Sequence, residues 1–488
     1  MTVTETTAAD LDALMASSAH AAEVWAIADG ATRAVALDAI ADAIDAAGDE
    51  LVPIAQEETH LAEARLRGEL KRTTFQLRLF ARTVAEGAHL DARIDRADSD
   101  WPMGAPRPDL RRVLLPLGPV VIFAAGNFPF AFSVAGGDTA SVLAAGCSVI
   151  MKAHPGHPRL SAATGQVVDS ALASVGAPAG VFSMVFGFDA GRDALMDPRV
   201  KAGAFTGSIR GGRALFDLAN SRPDPIPFYA EMGSVNPVFV TRAAAAARGQ
   251  AIAESFVQSV TGSAGQLCTK PGLLFVPADS TIVEHLRGLD IPAATPMLDD
   301  RVGAGYLKAL EQLESRPGVD RIAGETGQPA GEPVSALLTT TAENLLQDFD
   351  ILTSECFGPS ALVVTYREQS DLEAVAARLE GQLTAAIHGE AGDDVRTLLR
   401  ILSGRAGRLL WNQWPTGVSV TYAQQHGGPY PATTAPGSTS VGTAALERFL
   451  RPVAYQGFPQ EMLPAALRDD NPLNVPQRID LGAAHSGT

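Results

Sequence analysis

The stretch VVIFAAGNFPFAFSVAGGDTASVLAAGCSVIMK, residues 120–152, decides the fold of this chain. It opens on an apolar, β-branched run, Val120 to Phe123, and passes through glycines into GGDTASVLAAG, for which we predict a small-residue helix. It ends in a second apolar run, SVIMK. A strand, a helix and a strand in this order predict two parallel strands joined by a crossover helix. The stretch therefore indicates a parallel sheet with helices on both faces.

The alternation continues on both sides of this stretch. Beyond it, LSAATGQVVDSALASVG has the apolar spacing of an amphipathic helix. VFSMVFG and AGAFTGS predict a third and a fourth strand, and a fifth ends near Glu231. Upstream, about Leu11 to Ala88 is helical in pattern, and we expect these helices to cover the first sheet. After Glu231 a second α/β unit is predicted, with strands in GLLFV, SALLTTT, SALVVTY, LTAAIHG and GRLLWNQ.

Composition excludes several classes of protein. The chain has 488 residues, 46% of them hydrophobic, and a formal net charge of −17, so a nucleic-acid partner is not expected. Its three cysteines have no CxxC spacing and predict neither a disulfide framework nor a metal site. The N-terminus has no signal-peptide pattern, and no apolar run reaches the roughly 18 residues of a membrane span. We expect a cytoplasmic protein without a membrane partner.

Polar side chains follow the predicted strands of the first sheet. Asn127 comes after the first strand, Lys152 after the second, Ser208 after the fourth and Glu231 after the fifth. Gly207 and Gly212 flank the helix start beside Ser208. Because ligands of doubly wound sheets bind beyond the carboxyl ends of the strands, these residues are candidates for one site.

A thiol stands in an unusual setting, GSAGQLCTKPG, where Cys268 has little to pack against. This arrangement suits oxidation of an aldehyde through a covalent thioester. The thiol would attack the carbonyl, and the Asn127 amide and the Cys268 N–H would stabilise the oxyanion. A nicotinamide would accept a hydride, and Glu231 would activate the hydrolytic water.

Activation of the thiol needs only a modest shift. At an unperturbed pKa of about 8.5, only ~3% of a thiol is thiolate at pH 7. No histidine lies between Arg248 and Pro277, so the sequence does not support a histidine neighbour along the chain. A histidine from elsewhere in the fold stays open. A helix N-terminus or a bound cationic nicotinamide would also lower the pKa of the thiol.

Six motifs in order resemble the aldehyde dehydrogenase superfamily: GNFPF, IMKAHP, FTGS, AEMGS, GQLC and ECFGP. The resemblance implies an α/β fold with a Rossmann-like cofactor domain, an α/β catalytic domain and extended oligomerisation arms. We expect the cofactor domain at residues 1–106 and 118–232, the catalytic domain at 233–448 and the arms at 107–117 and 449–488. A homodimer or homotetramer is expected.

The resemblance also implies roles for single residues. Cys268 is expected to be the nucleophile, Glu231 the general base and Asn127 the oxyanion donor. Lys152 would hold the adenosine ribose, and Ser208 with its flanking glycines would meet the pyrophosphate. Glu355 and Phe357 would position the nicotinamide ribose and ring.

One departure from the family pattern concerns the cofactor. The usual motif after the strand lysine places a glutamate that binds ribose hydroxyls, whereas here KAHP places Pro155 there. A carboxylate would repel a 2′-phosphate, so its absence favours NADP, with NAD possible. His154 is the nearest candidate phosphate partner, with His157 and Arg159 beyond it.

Longer phrases narrow the expected substrate. PRPDLRR and RFLRPVAYQGFP are similar to the branch that oxidises α-ketoglutarate semialdehyde (2,5-dioxopentanoate), which also holds NADP-preferring fatty aldehyde dehydrogenases. The dioxo acid is expected, with a long-chain aldehyde as the alternative. Residues near the motifs supply no evident cation for a carboxylate, and four aromatic side chains would equally suit an apolar tunnel: Phe128, Phe130, Phe132 and Trp414. An acylating enzyme that uses coenzyme A and a catalytically idle protein are further alternatives.

Overall fold

The computed structural model describes residues 3–324 and 332–480. Its helices are α1 (Ala8–Ala26), α2 (Gly30–Ala46), α3 (Gly48–Thr59), α4 (Glu63–Glu86), α5 (Gly137–Ala145), α6 (Pro158–Ser174), α7 (Phe188–Met196), α8 (Ile209–Asn220), α9 (Arg242–Thr261), α10 (Ile282–Gly288), α11 (Asp300–Glu314), α12 (Ala342–Gln347), α13 (Phe349–Leu352), α14 (Gln369–Arg378) and α15 (Arg396–Ser403). Its strands are β1 (Ala92–Asp95), β2 (Leu110–Pro116), β3 (Val120–Phe123), β4 (Val149–Lys152), β5 (Phe182–Val185), β6 (Ala202–Thr206), β7 (Phe228–Glu231), β8 (Val238–Val240), β9 (Leu273–Pro277), β10 (Asp320–Gly324), β11 (Ala336–Thr341), β12 (Ser360–Tyr366), β13 (Gln382–His388), β14 (Ala406–Trp411), β15 (Leu450–Gln456) and β16 (Gln477–Ile479).

The first sheet has five parallel strands in the order β5-β4-β3-β6-β7. β3 lies at its centre and carries the four residues that the sequence predicts as the first strand. All four are buried, because parallel strands are covered on both faces. The strand order reverses at β3, so β3 and β6 flank the point where a doubly wound sheet opens a crevice for ligands.

The second sheet has seven strands in the order β10-β11-β12-β9-β8-β13-β14. Its strands run parallel except β10, which pairs antiparallel with β11 at the edge. The second α/β unit predicted from the sequence is therefore confirmed. Sequence patterns missed the short strand β8 and the edge strand β10.

Helices α1 to α4 cover the first sheet, as predicted. Leu37, Ile40 and Ile44 on α2 are completely buried and belong to the core that also holds strands β3 and β4. Trp25 of α1 fixes the layer further, because its indole N–H donates to the carbonyl of Leu143 at 3.0 Å.

A third, four-stranded sheet joins the two predicted arms within one chain, in the order β15-β2-β1-β16. β15 pairs antiparallel with β2 along its whole length, from Leu450 opposite Pro116 to Gln456 opposite Leu110. Pro452 fits here because β15 is an edge strand and its missing N–H breaks no ladder bond inside the sheet. The C-terminal tail therefore packs against its own chain.

The segment between β14 and β15 returns to the first sheet. Met232 N–H donates to the carbonyl of Ala432 at 2.8 Å, and Glu231 forms an isolated bridge with Thr433. Farther along, Leu446 and Phe449 are buried in the core of the first sheet. The late loop, residues 412–442, is thereby held against the end of β7. Among the described helices, none is long and apolar enough to cross a membrane.

Candidate active site

A cleft of about 1110 Å³ opens beyond the carboxyl ends of the first sheet. This exceeds the roughly 300–1,000 Å³ typical of small-molecule sites, so the cleft is large enough for a dinucleotide. Of the predicted site residues, the cleft is lined by Asn127, Lys152, His154, Gly207, Ser208, Glu231, Cys268, Glu355 and Phe357. Residues from both predicted α/β units therefore meet at this one cleft.

Gly212 is the one predicted site residue outside the lining of this cleft. It is buried on α8, where an added Cβ would lie 2.6 Å from the sulfur of Met232. The residue thus lets α8 pack closely on the end of β7. Its neighbour Gly211 lines the cleft instead.

A strained turn delivers Cys268 to the cleft. After α9, Ser263, Ala264 and Gly265 have positive φ angles of 54°, 52° and 63°. Non-glycine residues rarely adopt this region, and each costs on the order of 1 kcal/mol or more. Gly265 has a further steric reason, because an added Cβ would lie 2.1 Å from the carbonyl oxygen of Gly358. The glycines of GSAGQLC thus allow the thiol loop to lie against the ECFGP loop.

Asn236 holds the backbone around the thiol in place through hydrogen bonds. Its side-chain amide donates to the carbonyls of Cys268 at 2.8 Å and Lys270 at 3.0 Å. Its carbonyl oxygen accepts from the Thr384 hydroxyl at 2.9 Å. Asn236 is itself completely buried, so the loop is held by a network closed to solvent.

Cys268 lies in a cluster with His426 and Glu231. The sulfur is 3.6 Å from His426 Nε2, and that nitrogen is 2.8 Å from Glu231 Oε1. The other carboxylate oxygen of Glu231 accepts a hydrogen bond from the Ser440 hydroxyl. A carboxylate oxygen beside His426 Nε2 favours the tautomer with its proton on Nε2, and this single N–H is shared between Glu231 and the sulfur. The imidazole thus stabilises a thiolate.

The pKa of the Cys268 thiol is well above its usual range. Burial is the largest cause, and the negative charges of Glu231 and Glu355 add to it, while the Arg72 guanidinium acts in the opposite direction. The pKa of Glu231 is lowered despite its burial, because His426 and Ser440 donate to it and Arg448 adds a positive charge. At neutral pH the thiol is therefore protonated and the neighbouring carboxylate is ionised.

We expect His426→Ala to slow alkylation of Cys268. Removing the donor leaves both the thiolate and Glu231 Oε1 without their shared partner, so the thiol should ionise at higher pH. A shift of about one pKa unit corresponds to a roughly tenfold lower rate at pH 7. The measurement is the pH dependence of iodoacetamide inactivation without cofactor. His20→Ala, which removes an exposed imidazole on α1, is the control, and an unchanged profile would contradict the role of His426.

Asn127 lies across the thiol loop from β3. Its side-chain amide donates to the carbonyl of Gln266 at 3.1 Å, two residues before Cys268. An amide carries two N–H donors, so one remains to meet an oxyanion on a carbon bound to the sulfur. The backbone carbonyl of Asn127 accepts a hydrogen bond from Arg65 Nη2 at 2.8 Å, which connects this loop to α4.

Lys152 and Ser208 line the cleft at the end of β4 and the start of α8. Lys152 ends β4 and is largely buried, and burial with the nearby charge of Arg301 lowers its pKa to about 8. Ser208 is the N-cap of α8 and accepts from the Gly211 N–H at 3.2 Å. The first turn of this helix therefore presents unpaired N–H groups to the cleft, which favours an anion such as a pyrophosphate.

Glu355 approaches the thiol loop from the other side. An added Cβ on Gly233 would lie 2.2 Å from Glu355 Oε2, so this glycine makes room for the carboxylate. Burial raises the pKa of Glu355 to about 7, against the opposing effects of Lys270 and the Ser234 N–H. Phe357 lines the same wall, whereas Cys356 between them is buried away from the cleft.

The raised pKa of Glu355 predicts a pH-dependent stability. The folded state favours the protonated carboxyl. The contribution of Glu355 to the free energy of unfolding is therefore complete below about pH 4.5 and is lost as the pH rises to about 7. Glu355→Gln should therefore raise the melting temperature more at pH 8 than at pH 5, without cofactor. Glu343→Gln, at an exposed position on α12, is the control. An equal effect at both pH values would contradict the burial of an ionisable Glu355.

The histidines and the arginine after Lys152 are not equivalent. His154 and His157 both line the cleft, but the ring nitrogens of His157 have partners, with Nε2 3.0 Å from the Ala125 carbonyl and Nδ1 3.1 Å from the Ser161 hydroxyl. Arg159 binds Glu57 and Glu58 on α3. The ring nitrogens of His157 and the guanidinium of Arg159 thus already have partners, and His154 stays the first candidate for a phosphate.

Several residues of the cleft and its surroundings were not predicted from the sequence. His426 and Ser440 belong to the irregular segment QQHGGPYPATTAPGSTS, which has no helix or strand periodicity. The bridge of this segment to β7 brings them to Glu231. Arg301 lines the cleft at the start of α11, and its charge lowers the pKa of Lys152 and of His154. No motif in the sequence marks His426, Ser440 or Arg301.

Comparisons with known proteins agree with this geometry. The model of the aldehyde dehydrogenase family matches residues 1–451. Alpha-ketoglutaric semialdehyde dehydrogenase 2 of Azospirillum brasilense is 48% identical over 460 residues, 92% of this chain and 87% of the relative. Alpha-ketoglutaric semialdehyde dehydrogenase of Acinetobacter baylyi is 42% identical over 460 residues, 92% of this chain and 86% of the relative.

A solved structure supports the same fold. Succinic semialdehyde dehydrogenase of Streptococcus pyogenes, in complex with NADP⁺, superimposes with a TM-score of 0.77. The match covers 93% of this chain and 96% of that one at 17% sequence identity, so it bears on the fold alone. The chain therefore belongs to the aldehyde dehydrogenase family, whose members oxidise an aldehyde with a nicotinamide cofactor.

Proposed function

We propose that this chain oxidises α-ketoglutarate semialdehyde to 2-oxoglutarate, with NADP as the preferred cofactor. One observation carries the reaction class: a thiol, an imidazole and a carboxylate lie within 4.8 Å of one another at a cleft that a dinucleotide fits. The identities of 48% and 42% to two alpha-ketoglutaric semialdehyde dehydrogenases favour the substrate.

The first half of the reaction acylates Cys268. The thiol proton is lost to solvent, and the N–H of His426 stabilises the thiolate that results. The sulfur adds to the aldehyde carbon, and the remaining N–H of the Asn127 amide binds the oxyanion. When bound, the nicotinamide supplies the hydride acceptor that converts the thiohemiacetal into a thioester.

The second half releases the acid. Glu231, held by His426 and Ser440, is the base for the water that attacks the thioester carbon. The sulfur leaves as thiolate, again beside the His426 donor. Glu231 thus serves the hydrolytic half, and the late loop orients it.

The cofactor would lie along the cleft in a definite direction. The N-terminus of α8 at Ser208 suits the pyrophosphate, Lys152 the adenosine ribose, and Glu355 with Phe357 the nicotinamide riboside. Three arginines line the same cleft: Arg192, Arg210 and Arg301. They and the missing carboxylate at Pro155 favour a 2′-phosphate, while Glu58, the nearby carboxylate, is already bound by Arg159 and the Leu160 N–H.

The arm sheet suggests how subunits assemble. β15 is an edge strand, and its outer side is available to pair or pack with a second copy. We propose a homodimer or homotetramer built through residues 107–117 and 449–488, flanking a cofactor domain and a catalytic domain with the boundaries predicted above. Three cysteines, none paired with another, suit a reducing cytoplasmic setting.

One assay tests the proposed function. Purified protein is given α-ketoglutarate semialdehyde or decanal, with NADP⁺ or NAD⁺, and the reduced nicotinamide is followed by absorbance. We expect a higher kcat/KM for the semialdehyde, NADP⁺ at least as effective as NAD⁺, and no dependence on coenzyme A. A preference for decanal would favour the fatty aldehyde alternative, and strict dependence on coenzyme A an acylating enzyme. Silence with a broad aldehyde panel would mean a catalytically idle protein.

A further inference from the structure

Arg72 on α4 has a guanidinium group that is only partly satisfied. Its Nε donates a long hydrogen bond to the Val418 carbonyl at 3.5 Å. Its Nη1 and Nη2 are buried and have no hydrogen-bond partner among the described residues. Burying charged donors without partners costs several kcal/mol. The arrangement therefore points to an anion that binds there from outside the chain.

The position of Arg72 relates it to the reacting thiol. Its guanidinium lies 5.1 Å from the centroid of the Phe132 ring, and that ring lies 6.3 Å from the ring of His426. His426 in turn is 3.6 Å from the Cys268 sulfur. Arg72, Phe132 and His426 are not among the residues that line the cofactor cleft. They form a cluster beside the thiol that is separate from the lining of the cofactor cleft.

The charges around Arg72 leave room for one more anion. Arg65, about two turns before Arg72 on the same face of α4, is 3.7 Å from Glu69. Glu69 Oε1 is already occupied by the N–H groups of Phe130 and Ala131, at 2.8 and 2.9 Å. Glu69 thus faces two guanidinium groups, and the charge of Glu231 also acts on that of Arg72, yet Arg72 makes no direct ion pair with either carboxylate among the described residues.

The aromatic side chains do not form an apolar tunnel. Phe128 lies under the Arg65 guanidinium at 4.9 Å, as Phe132 lies beside that of Arg72. Phe130 is buried in the core of the first sheet, and Trp414 packs against the core of the second. A long alkyl chain here would lie against the guanidinium groups of Arg65 and Arg72, whereas the carboxylate of a short acid would pair with one of them.

We propose that Arg72 binds the C1 carboxylate of the aldehyde substrate through its two free Nη groups and so selects a short 2-oxo acid over a long-chain aldehyde. This inference rests on the proposed function. A carboxylate accepts two parallel N–H bonds from one guanidinium, which gives both strength and orientation. The aldehyde at the far end of a five-carbon acid is then directed toward Cys268.

The test compares two substrates in three variants. kcat/KM is measured for α-ketoglutarate semialdehyde and for pentanal, a neutral aldehyde of the same chain length. In Arg72→Met the ratio of the two values is expected to fall by about 10²-fold, as for loss of a charge-assisted pair. Arg72→Lys keeps the charge without the fork and should lose about tenfold. Lys71→Met removes an exposed cation from the adjacent position of the same helix and is the matched control.

The outcomes separate this inference from the proposed function. Equal efficiency of the wild type on both substrates would overturn the proposed function and the inference with it. A wild type that prefers the semialdehyde, with the same ratio retained in Arg72→Met, would overturn the role of Arg72 alone. NADP⁺ binding, followed by quenching of protein fluorescence, checks that each variant is folded. If Arg72→Met does not bind NADP⁺, the ratio in Arg72→Lys decides.

Discussion

Replacement of Cys268 by alanine is expected to abolish aldehyde oxidation while NADP⁺ still binds. In the proposed reaction the sulfur bonds to the substrate carbon, and no other described thiol lies at the cleft, since Cys147 and Cys356 are buried elsewhere. Loss of a covalent nucleophile should lower kcat by at least about 10⁴-fold. The measurement is reduced nicotinamide formed with α-ketoglutarate semialdehyde, beside the dissociation constant for NADP⁺.

Cys356→Ala is the control for the Cys268 variant, because it removes a second thiol close to the cleft. Cys356 lies between the two cleft residues Glu355 and Phe357, yet its side chain faces Tyr306 and Ser360. Its removal should affect stability more than turnover. If Cys268→Ala kept turnover near the wild type, the covalent route would be wrong. If it lost NADP⁺ binding as well, the loss of activity would reflect the structure of the loop and not its chemistry.

Local patterns were sufficient to predict the frame of this site. β3 and β4 are short apolar runs closed by glycine or by a charged residue, and the residues after them are visible without tertiary information. Asn127, Lys152 and Ser208 follow from that rule, and all three line the cleft. The same rule does not separate Gly207, which lines the cleft, from Gly212, which packs α8 on Met232.

Long-range contacts were not accessible in the same way. His426 lies 158 residues from Cys268 along the chain, and Ser440 lies 209 residues from Glu231. Both stand in an irregular segment whose path is set by its bridge to β7, and periodicity says nothing about such a path. Arg72 was hidden for a different reason, because a cation on a surface-like helix is usually solvated. Only its burial beside Phe132 marks it.

Replacement of Glu231 by glutamine is expected to preserve one turnover and block the next. Glutamine cannot take a proton from water, so hydrolysis of the thioester should slow by about 10²–10³-fold. Acylation is affected less, because the charge of Glu231 raises the pKa of Cys268 and its removal makes the thiolate easier to form. The expected record is a burst of about one reduced nicotinamide per active site, followed by a slow steady state.

Hydroxylamine makes the prediction for Glu231→Gln sharper. It is nucleophilic without a general base and releases the acyl group as a hydroxamate, so it should restore turnover in Glu231→Gln but not in Cys268→Ala. Ser440→Ala tests the support of the same carboxylate, since its hydroxyl donates to Glu231. It should slow the steady state to a smaller degree and leave the burst intact. If Glu231→Gln showed neither a burst nor a response to hydroxylamine, the prediction would be wrong. Glu231 would then be needed to form the thiolate, because His426 alone would not stabilise it.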